Sequence, residues 1–157
     1  MYEHFNQELL KFVNESAAAY SNKKDIDLQE LLADRFLIAE LIESGVPYAL
    51  FSQIKELFPF NLNDWAGYLD ISLKSLQRYH NEDRRFKPIH SEKIIELLEV
   101  FVFGVEVFEK DADQFKLWLK TPVMALAGKR PIDLLKNSYG QALVMDTLAA
   151  LEYGIFA

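Results

Sequence analysis

Apolar residues recur at three- and four-residue steps along most of the chain, which is the spacing of one face of an α-helix. Gly45 with Pro47, and Pro59, mark helix ends. A weak strand signal at 100–103 is overridden by the helical pattern around it. The sequence therefore predicts an all-α fold. The predicted helices cover 5–13, 28–42, 48–58, 63–69, 73–80, 91–108, 112–120, 131–136 and 139–153.

Composition narrows the class of protein. The chain has 157 residues, half of them hydrophobic, so it can form one packed domain or two small ones. No apolar run approaches the ~18 residues of a membrane helix, and the polar start does not resemble a signal peptide. The absence of cysteine excludes disulfides and thiolate chemistry. We expect a cytoplasmic protein.

Charge is distributed unevenly along the chain. The net charge of −7 argues against a protein that coats nucleic acid. Between Ser72 and Lys93, however, six cations face three anions, so this segment carries +3 and the remainder −10. Such asymmetry indicates an anionic partner at one place only. The six cations are Lys74, Arg78, Arg84, Arg85, Lys87 and Lys93.

The segment 62–79 has the pattern of a helix-turn-helix. Ala66 is small enough for the point where the two helices cross, and Ser72 is a good N-cap for the second helix. Asp70 occupies the turn position that glycine most often holds. Aspartate tolerates a left-handed backbone better than most residues, so we expect the turn to form.

The second of these helices, 73–80, would be a recognition helix. Glutamine can pair with adenine and arginine with guanine in the major groove, and the cations that follow suit phosphates. The same pattern also fits an ordinary solvated helix face. The predicted DNA-binding residues are Ser72, Lys74, Ser75, Gln77, Arg78, Arg84, Arg85 and Lys87.

Catalytic and metal chemistry find little support in the sequence. The three histidines lack the spacing of metal ligands. No carboxylates stand out as a catalytic pair, since Asp111 and Asp113 sit at a predicted helix start, where anions are favoured. We therefore predict no catalytic residue, no metal site and no cofactor, and a small enzyme is disfavoured.

The stretch PVMALAGKRPIDLL (122–135) invites comparison with a phosphate-binding loop. That loop needs a glycine five residues before the Gly-Lys pair and a serine or threonine after it, where this chain has Val123 and Arg130. A turn between helices explains the stretch better. Gly128 permits the turn and Pro131 suits the first position of a new helix. Lys129 and Arg130 remain as exposed-looking cations.

The end of the chain resembles the C-terminal toxin-binding domain of Xre/ParS-type antitoxins. The resemblance is strong over 105–157 and looser over 46–104, where the family has an Xre-like helix-turn-helix ending in Leu-x-Arg, matched here by 76–78. The matching positions are Phe115, Trp118, Leu119, Pro122, Ala125, Leu126, Gly128, Pro131, Asp133, Leu134, Leu135, Gly140 and 151–157.

The resemblance implies three parts: an N-terminal helical extension (1–45), the helix-turn-helix domain (46–104) and a small helical toxin-binding domain (105–157). It also implies a type II antitoxin that inhibits a RES-domain toxin, which consumes NAD or transfers ADP-ribose from it, and that represses its own operon without catalytic activity. The alternative is a stand-alone helix-turn-helix regulator whose C-terminal domain mediates dimerisation.

The toxin-binding residues implied by the resemblance cluster at the chain end and at the 122–135 turn. Gly154 is expected to end the last helix with positive φ. The apolar residues after Gly154 would lie near the toxin's NAD pocket. The two cations Lys129 and Arg130 would face an acidic patch on the toxin. These residues are Trp118, Lys129, Arg130, Tyr153, Gly154, Ile155, Phe156 and Ala157.

A homodimer is also predicted, because helix-turn-helix proteins usually present two recognition helices across a two-fold axis. The apolar residues Phe36, Leu37, Leu41 and Ile42 would form its interface.

Overall fold

The computed structural model describes residues 3–16 and 27–154, and it confirms the all-α prediction. The protein is 73% helical, and no β-strand occurs in the described ranges. None of the helices in those ranges is both long and apolar enough to span a membrane. This described part of the chain contains ten α-helices: Glu3–Ser16 (α1), Leu28–Ala33 (α2), Arg35–Ser44 (α3), Tyr48–Lys55 (α4), Leu62–Leu69 (α5), Leu73–Asn81 (α6), Pro88–Val107 (α7), Ala112–Leu119 (α8), Pro131–Leu134 (α9) and Ser138–Glu152 (α10).

One predicted helix is in fact two. The apolar pattern over 28–42 predicted a single helix, but Asp34 interrupts it with an extended backbone (φ −84°, ψ 93°). Its carboxylate accepts a hydrogen bond from the backbone N–H of Leu37 at 3.0 Å, so it caps α3. The apolar periodicity continues across the break because both helices bury the same side of the chain.

The fold divides within α7 into two compact units, Met1–Glu96 (unit 1) and Leu97–Ala157 (unit 2). In unit 1, α1 packs on α3 and α4. Trp65 of α5 is fully buried there. Its indole contacts the rings of Phe51, Phe58, Phe60 and Tyr68, with centroids 5.2 to 6.3 Å away. This aromatic cluster fixes α5 against α4.

Part of the predicted dimer interface lies inside this core. Leu37 and Leu41 are buried in unit 1, so they are not available to a second chain, and that part of the prediction is wrong. Ile42 is half-buried. Phe36 is 89% exposed and still suits an interface. The homodimer itself stays a prediction.

Unit 2 contains the second half of α7, α8, a short 3-10 helix (Met124–Leu126), α9 and α10. The ring of Phe115 is buried against α7 at Gly104, where a Cβ atom would overlap it. The rings of Phe101, Phe108 and Trp118 surround Phe115 at centroid distances of 5.9 to 6.1 Å. The glycine thus allows α7 and α8 to approach closely.

The 122–135 stretch forms the turn that its sequence predicts, with the 3-10 helix as an unpredicted addition. Gly128 adopts φ +75°. The backbone N–H of Val123 donates to the carbonyl of Lys129 at 3.1 Å, which closes the turn. Pro131 begins α9, as expected. Gly154, with φ +70°, follows the end of α10, as also predicted.

Gly140 sets the distance between α9 and α10. It is buried in the first turn of α10, and a Cβ atom there would overlap the carbonyl oxygen of Leu134. Because the obstacle is backbone rather than a flexible side chain, α10 cannot accept a larger residue without moving away from α9.

We expect Gly140→Ala to destabilise the protein by about 1–3 kcal/mol, the usual cost of overpacking. Gly67→Ala is the matched control, because Gly67 lies in α5 with open space around its Cα. Alanine there should stabilise the helix by up to about 1 kcal/mol. Thermal unfolding followed by circular dichroism measures both. A Gly140→Ala variant that melts at or above the wild-type temperature would contradict the packing described for α9 and α10.

Candidate functional site

The turn between α5 and α6 is built as its sequence predicts. Asp70 adopts the left-handed conformation (φ 55°, ψ 45°). The backbone N–H of Ile71 donates to the carbonyl of Ala66 at 3.0 Å, which closes the end of α5 in the manner of a Schellman motif. Aspartate therefore fills the position of the usual glycine without loss of the turn.

Ser72 caps α6, as predicted. Its hydroxyl oxygen accepts a hydrogen bond from the backbone N–H of Ser75 at 3.0 Å and lies 2.9 Å from the Ser75 hydroxyl. Leu76 and Tyr79 are buried, whereas Lys74, Gln77 and Arg78 are exposed and Ser75 is half-buried. The polar face of α6 is therefore open to a partner.

The connection from α6 to α7, residues 82–87, is anchored by backbone pairing to the α3–α4 turn. The backbone N–H of Phe86 donates to the carbonyl of Val46 at 2.8 Å. The buried Ser91 hydroxyl accepts from the Val46 N–H at 2.9 Å and donates to the Phe86 carbonyl at 3.2 Å. The Phe86 ring stacks on Tyr79 at 4.4 Å. These contacts hold the cationic connection rigidly beside α6.

The Arg85 side chain extends from this connection towards α1. Its guanidinium donates to the Gly45 carbonyl at 3.2 Å and to the Ser44 hydroxyl at 3.3 Å, and it pairs with Glu15 at 3.3 Å. It also lies over the ring of Phe12, 5.7 Å from its centroid. Arg85 therefore ties α1 to the helix-turn-helix region with donors that a phosphate contact would otherwise use.

Three other cations of the segment, Arg78, Arg84 and Lys87, line a groove of about 230 Å³ between α6 and the start of α7. Arg84 pairs there with Glu82 at 3.0 Å and lies 5.5 Å from the centroid of the Tyr79 ring. His90, which no sequence pattern marks as a site residue, also belongs to the groove. The complete lining is Ile71, Ser75, Arg78, Tyr79, Arg84, Lys87 and His90.

The outer face of α10 carries an apolar stripe. Gly140, Val144, Thr147 and Leu148 point into unit 2 and are buried. The stripe consists of Tyr139 (85% exposed), Leu143 (53%) and Tyr153 (78%), with the half-buried Ala150 between them. Steps of four, seven and three residues place these four positions on one side of a helix, and the exposed Asp146 lies on that side between Leu143 and Ala150. We call them the α10 stripe.

Sequence reasoning selected only Tyr153 of the α10 stripe. The available signal was that α10 has apolar residues on more than one face, which an ordinary surface helix does not. The buried positions alone explain the helical periodicity of α10, so the pattern predicts no role for the exposed apolar positions.

The remaining residues implied by the resemblance have mixed surroundings. Trp118 is half-buried, with its ring centroid 6.1 Å from that of Phe115. Lys129 is exposed. Arg130 forms two hydrogen bonds to the Asp133 carboxylate, at 2.8 and 2.9 Å, and these lower the pKa of Asp133. Gly154 is exposed, and residues 155–157 lie outside the described residues.

Comparison with known proteins assigns a domain type to each surface. The family model of the antitoxin Xre-like helix-turn-helix domain matches residues 38–99, which contain α6 and the groove. The model of the antitoxin Xre/MbcA/ParS C-terminal toxin-binding domain matches residues 104–154, which contain the α10 stripe. Neither model describes an enzyme domain.

Individual relatives agree with the two domain models. A protein named Antitoxin Xre from Yersinia enterocolitica is 33% identical over 55% of this chain and 59% of its own length. Another of that name, from Photorhabdus laumondii, is 24% identical over 73% of this chain and 78% of its own. A Sphingobium protein named Prs ADP-ribosylating antitoxin is 50% identical over 26% of this chain and 25% of its own. The chain thus spans less than two thirds of the Yersinia protein.

Proposed function

Because the chain belongs to the Xre/MbcA/ParS family of antitoxins, we propose that it neutralises a RES-domain toxin through unit 2 and represses the operon of the pair through α6. The observation that carries the proposal is the occurrence of two open surfaces of different chemistry, one in each matched domain. Unit 1 has the cationic face and unit 2 the apolar one.

The α10 stripe is the surface we assign to the toxin. Exposed apolar side chains grouped on one helix face are costly in water and mark a protein-binding site, and here they surround the exposed carboxylate of Asp146. Tyrosine is enriched among the residues that dominate interface energies, and the stripe has two. Lys129 and Trp118 lie in the same unit and would add to the contact. Arg130 contributes less net charge, because Asp133 already pairs with it.

The choice of toxin rests on two observations. The resemblance of residues 105–157 to the Xre/ParS-type domain implies a RES-domain partner. The Sphingobium relative is named for ADP-ribosylation, and we extend that chemistry to the toxin of this chain. The antitoxin would act without catalysis of its own, by covering the toxin's NAD pocket with Tyr153 and the residues after it.

We expect Leu143→Asp to abolish toxin neutralisation. A second carboxylate three residues from Asp146 would be desolvated without a partner and repelled by its neighbour, which should weaken binding by at least about 2 kcal/mol, or roughly thirtyfold. Calorimetry with the RES-domain protein encoded next to this gene measures the affinity, and co-expression measures growth rescue.

Ile89→Ala is the matched control for this test, since Ile89 is an equally exposed apolar residue (60%) in unit 1. It should bind the toxin like the wild type. If Leu143→Asp also protects cells fully, the α10 stripe is not the toxin-binding surface. A chain that binds no toxin but still binds DNA would instead be a stand-alone regulator.

The DNA-binding surface combines the exposed face of α6 with the cations beside it. Gln77 is exposed on α6 and is not part of the groove lining, which suits contact with a base edge. Arg78 lies at the border between that face and the groove. The cations concentrate on this one side of an otherwise acidic chain, in agreement with a single anionic partner.

We expect Gln77→Ala to weaken binding to the DNA upstream of the gene by about 1–3 kcal/mol, the usual value of a base contact. Binding to a scrambled duplex of the same length should not change, because phosphate contacts are retained. Fluorescence anisotropy at one salt concentration measures both duplexes. Equal losses on the two would mean that Gln77 does not read sequence.

A further inference from the structure

The groove between α6 and α7 has the size of a site for one small anion. Its volume is about 230 Å³, whereas pockets for drug-sized ligands usually have about 300–1,000 Å³. The groove is therefore large enough for a single phosphate group. The Ser75 hydroxyl and the Tyr79 ring line the same groove, so polar and apolar groups share its wall.

The charge of the groove is strongly positive. Arg78, Arg84 and Lys87 all line it. Glu82 offsets the charge of Arg84. Among the described residues, no carboxylate forms a salt bridge with Arg78 or Lys87. Two cations that share a small concave site without a counter-ion repel each other, and an anion between them removes that repulsion.

His90 gives the groove a group that can titrate near neutral pH. The ring is half-buried, and its Nδ1 atom is buried without a hydrogen-bond partner among the described residues. Burial lowers the pKa of His90, and Lys93 and Lys87 lower it further. A hydrogen bond with the Leu69 backbone and the carboxylate of Asp70 act in the opposite direction but do not reverse the shift. Burial and the neighbouring cations therefore favour the neutral form of His90 in the free protein.

We propose that this groove holds one phosphate group of the DNA backbone, and that a proton binds to His90 when the phosphate enters. The inference rests on the proposed DNA binding and adds the place and the proton linkage of one contact. A phosphate dianion or diester beside the ring favours the imidazolium form, as any opposite charge does. The groups whose charges act on the ring are Lys87, Lys93 and Asp70, and Arg78 and Arg84 line the same groove.

The direction of the pH dependence follows from this linkage. Bound phosphate raises the pKa of His90 above its value in the free protein. The affinity that protonation of His90 adds is fully present below the pKa of His90 in the free protein. It is lost as pH rises through the pKa of His90 in the complex. DNA should therefore bind more tightly at about pH 6 than at about pH 8, by up to roughly tenfold for each unit by which binding raises the pKa.

The first measurement is the salt dependence of binding to a non-operator duplex. Lys87→Ala should reduce the slope of log K against log salt by about 1, the value for one lost phosphate contact. Lys87 is exposed, so the variant keeps the fold. A slope equal to that of the wild type, with binding intact, would overturn the groove as a phosphate site and leave the proposed function standing. A wild-type chain that binds no duplex at all would overturn both.

The second measurement is the pH dependence of the same affinity in His90→Gln. The variant should lose the difference between acidic and basic pH. His80→Gln is the matched control: His80 is exposed on α6, stacks on Tyr48 at 4.9 Å and does not line the groove. It should keep the wild-type pH dependence. If His80→Gln loses that dependence and His90→Gln keeps it, the proton binds elsewhere and the inference is wrong.

An NMR titration of the His90 ring distinguishes DNA from free phosphate as the ligand. Addition of duplex should raise the pKa of His90, while the same concentration of inorganic phosphate should leave it nearly unchanged, because the duplex also binds through α6. An equal rise with inorganic phosphate alone would make the groove a free-anion site and overturn its assignment to DNA.

Discussion

The Ser91 hydroxyl holds together the part of unit 1 on which the proposed DNA-binding surface depends. It is fully buried, and it satisfies both the Val46 N–H and the Phe86 carbonyl. A buried polar group without a hydrogen-bond partner costs about 1–3 kcal/mol. The Ser91 hydroxyl avoids this cost for both the Val46 N–H and the Phe86 carbonyl, and it thereby constrains their positions. Gly45 is part of the same constraint, because a Cβ atom there would overlap the Phe86 carbonyl oxygen. The α6–α7 connection consequently has one position, with Lys87 in the groove and Arg85 directed to α1.

In unit 2, a glycine at a close backbone contact similarly determines the position of the α10 stripe. Gly140 brings α10 against the backbone of α9, and this contact determines which side of α10 is buried. The side that remains outside carries the α10 stripe. Each surface is thus produced within its own unit by backbone contacts that a glycine permits. Binding at one surface can therefore be altered by substitution without changing the residues that build the other surface.

Local signals in the sequence predicted most of the helices, since apolar periodicity and capping residues act over a few positions. Ser72, Asp70 and Pro131 each perform the local role expected of them. The break at Asp34 was missed because the apolar pattern runs through it. Arg85 stays a predicted phosphate contact, but its hydrogen bond to Glu15, 70 positions away, could not be predicted from the sequence, and His90 joined no predicted site. Such contacts depend on tertiary packing, which no local pattern encodes. The α10 stripe could have been read from the sequence as surplus apolar residues.

The central claim is that toxin and DNA bind different units, the first through α10 and the second through α6 with its groove. Hydrogen exchange of the full chain, followed by mass spectrometry with each partner in turn, tests this most directly. The RES-domain protein should protect peptides from 138–153 and leave 72–90 unchanged, while the upstream duplex should do the reverse. Protection of 72–90 by the toxin with none over 138–153 would contradict the account.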